Sequence, residues 1–107
     1  MPIPSDLLVL APWVIIHDDR RSELLLGQVR STVPPAHVLY GARLRVIAER
    51  LDRDDVLVEI EGGQKPLAVV HLTWHKETDP RWPSTRLFDS WEQWAQDEMR
   101  PANLEYI

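Results

Sequence analysis

Four histidines are the residues of this sequence whose chemistry asks the first question. His71 and His75 stand at H-x3-H spacing, which on a helix would bring both imidazoles to one face for a metal ion or for acid–base work. They sit, however, in and just beyond the run Pro66-Leu67-Ala68-Val69-Val70-His71-Leu72-Thr73-Trp74. On an extended strand four residues span about 13 Å, and no motif offers a third ligand, so no metal is expected. His71 in such a run reads as a buried core histidine that needs hydrogen-bond partners rather than a reaction. His17 and His37 read as cap and loop residues. Asp52, Asp54 and Asp55 read as solvated carboxylates of one polar turn. Cysteine is absent, and the four glycines are scattered at 27, 41, 62 and 63. Disulfides, thiolate chemistry, phosphate-binding glycine loops and dinucleotide motifs therefore have no support. No catalytic residue and no cofactor is assigned. The enzymatic alternative is a small hydrolase-like protein in which His71 or His75 works with a carboxylate.

Tryptophan is the residue in excess: five among 107, four of them between positions 74 and 94. One expectation places Trp74, Trp82, Trp91 and Trp94 in a single aromatic cluster between a C-terminal helix and a sheet. The competing expectation leaves Trp82 partly exposed, on a loop with Asp79, Arg81 and Arg86 and with Trp74 nearby, as a contact patch for a partner. The loop 75–88 carries Pro80 and Pro83 and reads as too proline-rich and polar for regular structure. Asp79-Pro80 starts a turn, and Pro83 biases Trp82 to extended backbone, so the loop is preorganised.

Around these residues the run 66–74 reads as a strand buried on both faces. Residues 42–51 fit both a helical and a strand period; the short polar turn 52–55 into Val56-Leu57-Val58-Glu59-Ile60 favours a strand and a hairpin. A second turn over 61–65, with Gly62 and Gly63, continues into the central run and gives an antiparallel meander. The other edge of that run requires a further strand, for which the N-terminal stretch 7–16 is the candidate. Trp13 in that stretch is a packing anchor. Residues 18–31 read as a helix with Asp18 or Asp19 as N-cap and Leu25 and Val29 facing the sheet, with Leu24, Leu26 and Val33 widening the stripe. Gly27 inside it implies either close packing or a weakened helix. Residues 90–100 read as a second helix, with Trp91, Ala95 and Met99 inward, an acidic outer face, an end before Pro101 and a loosely packed tail. The predicted fold is α+β: a three- or four-stranded antiparallel sheet packed against an N-terminal and a C-terminal helix, in one domain over residues 1–107.

A formal charge of −5 and a pI near 5.3 oppose a nucleic-acid partner. No apolar run reaches the roughly 20 residues that span a bilayer, and the first residues lack a basic leader, so a membrane is not expected and the expected location is the cytoplasm. The strings Leu39-Tyr40-Gly41, Asp54-Asp55-Val56-Leu57, Val69-Val70-His71-Leu72-Thr73-Trp74 and Asp79-Pro80-Arg81-Trp82-Pro83, followed by Phe88 and Trp91, resemble a group of small uncharacterised bacterial proteins. The resemblance covers most of residues 37–100 and implies a compact bacterial domain without an assigned activity. More loosely, the chain is similar to toxin-neutralising immunity proteins, which are small and acidic. The expected function is a non-enzymatic interaction module that binds a protein partner or a second copy of itself through Trp82, Arg81, Arg86, Asp79 and Trp74.

Overall fold

The unbroken apolar runs Val56-Leu57-Val58 and Leu67-Ala68-Val69-Val70 on two adjacent strands require cover on both sides of a sheet, and the fold supplies it. The computed structural model describes residues 3–107. Five strands, β1 (Trp13–Ile15), β2 (Arg43–Arg50), β3 (Asp55–Glu61), β4 (Leu67–His71) and β5 (Thr85–Phe88), form one antiparallel sheet in the order β1-β2-β3-β4-β5. Helix α1 (Asp19–Thr32) covers one face. The other is covered by α2 (Trp91–Trp94), a π-helical turn (Ala95–Met99) and α3 (Arg100–Tyr106).

The register sorts the side chains. Leu57 pairs with Val69, and both join Leu67, Phe88, Trp91, Trp94 and Met99 in one core. Val56, Val58, Ala68 and Val70 point the other way and join Leu25 and Val29 of α1. A bulge between Val46 and Ala48 interrupts the alternation of β2, so that Leu44 and Val46 serve the α1 face while Ile47 and Ala48 both serve the other. The ambiguous stretch 42–51 is thus strand over Arg43–Arg50, as the hairpin required.

Helix α1 begins as its sequence demands: the Asp18 carboxylate accepts from the Arg20 N–H at 2.9 Å. Ser22 donates to the Val46 carbonyl at 2.6 Å, and Arg21 grips Glu49 through two hydrogen bonds of 3.1 and 2.8 Å, which seat the helix on β2. Leu24, expected to widen the apolar stripe, is exposed instead. Gly27 has open space where a Cβ would stand, so close packing is not its reason.

Three expectations about the ends of elements are corrected. The outer neighbour of β4 is β5, drawn from the loop expected to lack regular structure, while the N-terminal strand β1 pairs with β2 at the opposite edge. Thr85-Arg86-Leu87-Phe88 extends beyond the prolines and has the β-forming residues Thr85 and Phe88 at its two ends, enough to complete an edge. The central strand itself stops at His71, and Trp74 already has a positive φ of 61°. The C-terminal helix does not end before Pro101. The Arg100 N–H reaches back to the Ala95 carbonyl in the wider π turn, and Pro101, which has no N–H to offer, then falls in the first turn of α3. The tail consequently packs, with Ala102 buried and Asn103 donating to the Ala11 carbonyl at 2.6 Å.

The aromatic cluster has a different membership from the one expected. Trp94 meets Trp13 at 5.4 Å and Trp91 at 5.8 Å, both nearly perpendicular, the edge-to-face geometry that ring quadrupoles favour. Trp74 and Trp82 are outside this core.

Candidate functional site

The loop from Leu72 to Ser84 leaves β4 and returns as β5, and its backbone is tied at several points. The Glu77 N–H donates to the Thr32 carbonyl at 3.1 Å at the end of α1, and the Trp82 N–H donates to the Asp79 carbonyl at 3.0 Å. Asp79 also accepts from the Arg81 backbone N–H at 2.9 Å and from its guanidinium at 2.6–3.1 Å. The Arg81 side chain therefore holds the Asp79 carboxyl down at about 2. On the inner side His37, expected to be a loop residue, is buried. Leu39 N–H donates to its Nδ1 at 3.0 Å, which makes Nε2 the protonated nitrogen, and Nε2 donates to the Pro83 carbonyl at 2.8 Å. His37 is the satisfied core histidine that the sequence suggested His71 to be.

On this pinned frame two indoles face solvent: Trp82 is 47% exposed and Trp74 is 49% exposed. Trp74 holds its positive φ without the freedom of glycine, and such conformations persist where the surroundings enforce them. It also lines a cavity of about 300 Å³ with Arg21, Leu25, Glu49, Arg53 and Asp54. Asp79, Arg81 and Trp82 are brought together on one turn. Arg86 is not joined to them: its guanidinium contacts Glu98 on the π turn at 2.7 Å and comes within 4.0 Å of Asp55.

Arg86 belongs to a second cluster, at the end of the sheet. Asp55, expected in a solvated turn, is 4% exposed, and its Oδ1 lies 2.7 Å from Nδ1 of His71, its cross-strand partner. His71 is corrected in turn: standing at the last position of β4, it is exposed rather than buried. Glu98, expected on an acidic outer face, is 7% exposed, and burial pushes its carboxyl above the ordinary glutamate range while Arg86 pulls the other way. Arg53, Asp55, His71, Ser84 and Arg86 line a cavity of about 260 Å³. His75 is apart, with Nδ1 on the Thr73 carbonyl at 2.9 Å and Nε2 on Glu77 at 2.9 Å.

The sequence reading missed Asp55, Glu98, Arg53 and Ser84 as members of a site. Two had signals. A turn centred on Gly63 pairs position 55 with 71, and Glu98 lies three residues beyond inward-facing Ala95. Among the described residues no helix is long and apolar enough to cross a membrane. Comparison with protein-family models, with curated proteins and with solved structures found no match.

Proposed function

We propose that this chain is a non-enzymatic protein-interaction module whose contact surface is the 72–84 loop, centred on Trp82 with Trp74. The observation that carries the reading is Trp82, about half exposed on a loop whose backbone is fixed at both flanks. A rigid loop loses little entropy on binding, and an indole supplies a large apolar area with few rotors. Arg81 beside it is already oriented by Asp79, ready for an acidic group of the partner through its remaining N–H donors. The narrower form of the reading is neutralisation of a bacterial toxin: a small domain of charge −5 suits a basic target surface, with Trp82 as the apolar anchor.

The test compares the chain with its Trp74→Ala/Trp82→Ala variant as bait, quantifying proteins retained from cells of its source. A protein held by the parent chain and lost from a folded variant supports the reading, and sequencing it shows whether it is a toxin, another protein or a second copy of this chain. Identical retention by both baits overturns it.

One contact favours a second reading, a small hydrolase-like enzyme: the buried Asp55 carboxylate orients His71 as it would a general base. Ser84 lines the same cavity, although no hydrogen bond joins its hydroxyl to the imidazole among the described residues. Ester hydrolysis abolished by His71→Ala in a protein that still folds would replace the first reading with this one.

A further inference from the structure

We propose that Arg53, His71, Ser84 and Arg86 form a receptor for the phosphoryl group of a small molecule, at the end of the sheet opposite Gly62-Gly63. This does not rest on the interaction reading, since Trp82 takes no part in it. The four side chains come from three different places, the β2–β3 turn, the end of β4 and the start of β5, and they line one cavity of about 260 Å³.

The cluster is built from the inside outward. Two buried carboxylates, Asp55 in the cavity wall and Glu98 behind it, each hold one of the outward side chains: Asp55 takes Nδ1 of His71 at 2.7 Å, and Glu98 takes the Arg86 guanidinium at 2.7 Å. This is how buried acceptors orient groups that must meet a ligand in a fixed direction. Holding His71 by Nδ1 leaves Nε2 without a protein partner among the described residues. Arg86 keeps N–H donors beyond the one that Glu98 engages. Arg53 makes no hydrogen bond or ion pair within the protein among the described residues, so that its N–H donors are open, although its charge is felt by Asp52 and Glu98.

Ligand class follows from the number of donors and from the overall charge. Two guanidinium groups and a hydroxyl around one cavity present more N–H and O–H donors than the lone pairs of a carboxylate accept, whereas a phosphoryl group offers three terminal oxygens, one of which, when protonated, can donate to Nε2 of His71. The net charge of −5 repels an extended polyanion, and Asp55 in the same cavity wall is engaged by His71, so a single phosphoryl group set between the Arg53 and Arg86 guanidiniums is the better fit.

The test follows amide ¹H–¹⁵N signals of the full chain during titration with inorganic phosphate, with glycerol 3-phosphate and with acetate at fixed ionic strength. Expected are saturable shifts at residues 53, 71, 84 and 86 with at least one of the phosphates and an affinity about tenfold lower in Arg53→Gln, the weight of one charge-assisted hydrogen bond. Tighter binding of the ester than of inorganic phosphate would identify the phosphoryl group of a metabolite, and the reverse would identify free phosphate. Arg53 is exposed and supports no packing, so its loss leaves the fold intact; Ser84→Ala, equally exposed, is the second variant and should also weaken binding. Shifts that do not saturate, acetate binding as tightly as either phosphate, or unchanged affinity in Arg53→Gln would overturn the assignment.

Discussion

Truncating two tryptophans of the same chain should have unequal effects, because one is core and the other surface. Trp94 is 0% exposed, and an indole burying about 200 Å² at about 25 cal/mol/Å² is worth about 5 kcal/mol, in line with the usual 3–5 for aromatic truncation. Its edge-to-face contacts with Trp13 and Trp91 place it at the upper end of that range, so about 4–5 kcal/mol is the expected loss for Trp94→Ala. Trp82 is 47% exposed, so roughly half the area is at stake, about 2.5 kcal/mol at most, and water refills the space without leaving a cavity. For 107 residues the unfolding entropy is about 0.22 kcal/mol/K at about 2.1 cal/mol/K per residue. The melting temperature should fall by about 18–22 °C in Trp94→Ala and by no more than about 11 °C in Trp82→Ala. Calorimetric unfolding of both variants is the assay. Equal losses, or a larger one at Trp82, would mean that the Trp82 indole is a core element and that the proposed contact surface does not exist.

Gly27→Ala should stabilise the chain by up to about 1 kcal/mol, read as a higher denaturant midpoint, because the added methyl meets open space on an α-helix. The Asp79 carboxyl should titrate near 2 by carbon-detected NMR and return towards about 3.9 in Arg81→Gln. Its folded value lies below the unfolded one, so whatever stability it confers is present above the ordinary aspartate range and lost as the pH falls through about 2. Glu98 has the opposite sign. Its raised folded value means that the folded state binds the extra proton, so the native chain should lose stability relative to Glu98→Gln as the pH rises from below the ordinary glutamate range, in chemical denaturation at a series of pH values.

Most of the architecture was legible because it rests on local signals. The Asp18 cap, the Leu25–Val29 stripe and the two polar turns fixed α1 and the β2-β3-β4 meander. What failed depended on context. Thr85-Arg86-Leu87-Phe88 is too short to declare itself, and it becomes a strand because the β4 edge is there to pair with it. Pro101 is a stop signal that a π turn defeats, since the widened turn places the proline where its missing N–H is tolerated. Of the residues nominated for a site, Trp74 and Trp82 are exposed as a contact surface requires, and Asp79 and Arg81 form its frame. Arg86 was grouped with them by proximity in sequence, but on an edge strand its side chain faces the β4 neighbour Val69 and the π turn. The Asp55–His71 pair was computable from the hairpin register, and it was missed because aspartates in a turn were read as solvated.

The interaction reading is tested most directly by placing a photo-crosslinking amino acid at position 82 in the living source cell, with position 24 as the control. Leu24 is also an exposed hydrophobic residue, but it lies on α1 rather than on the 72–84 loop. The account predicts a discrete crosslinked species from position 82, at the mass of the chain plus one partner, and none from position 24. No product from position 82, or the same products from both positions, would contradict it.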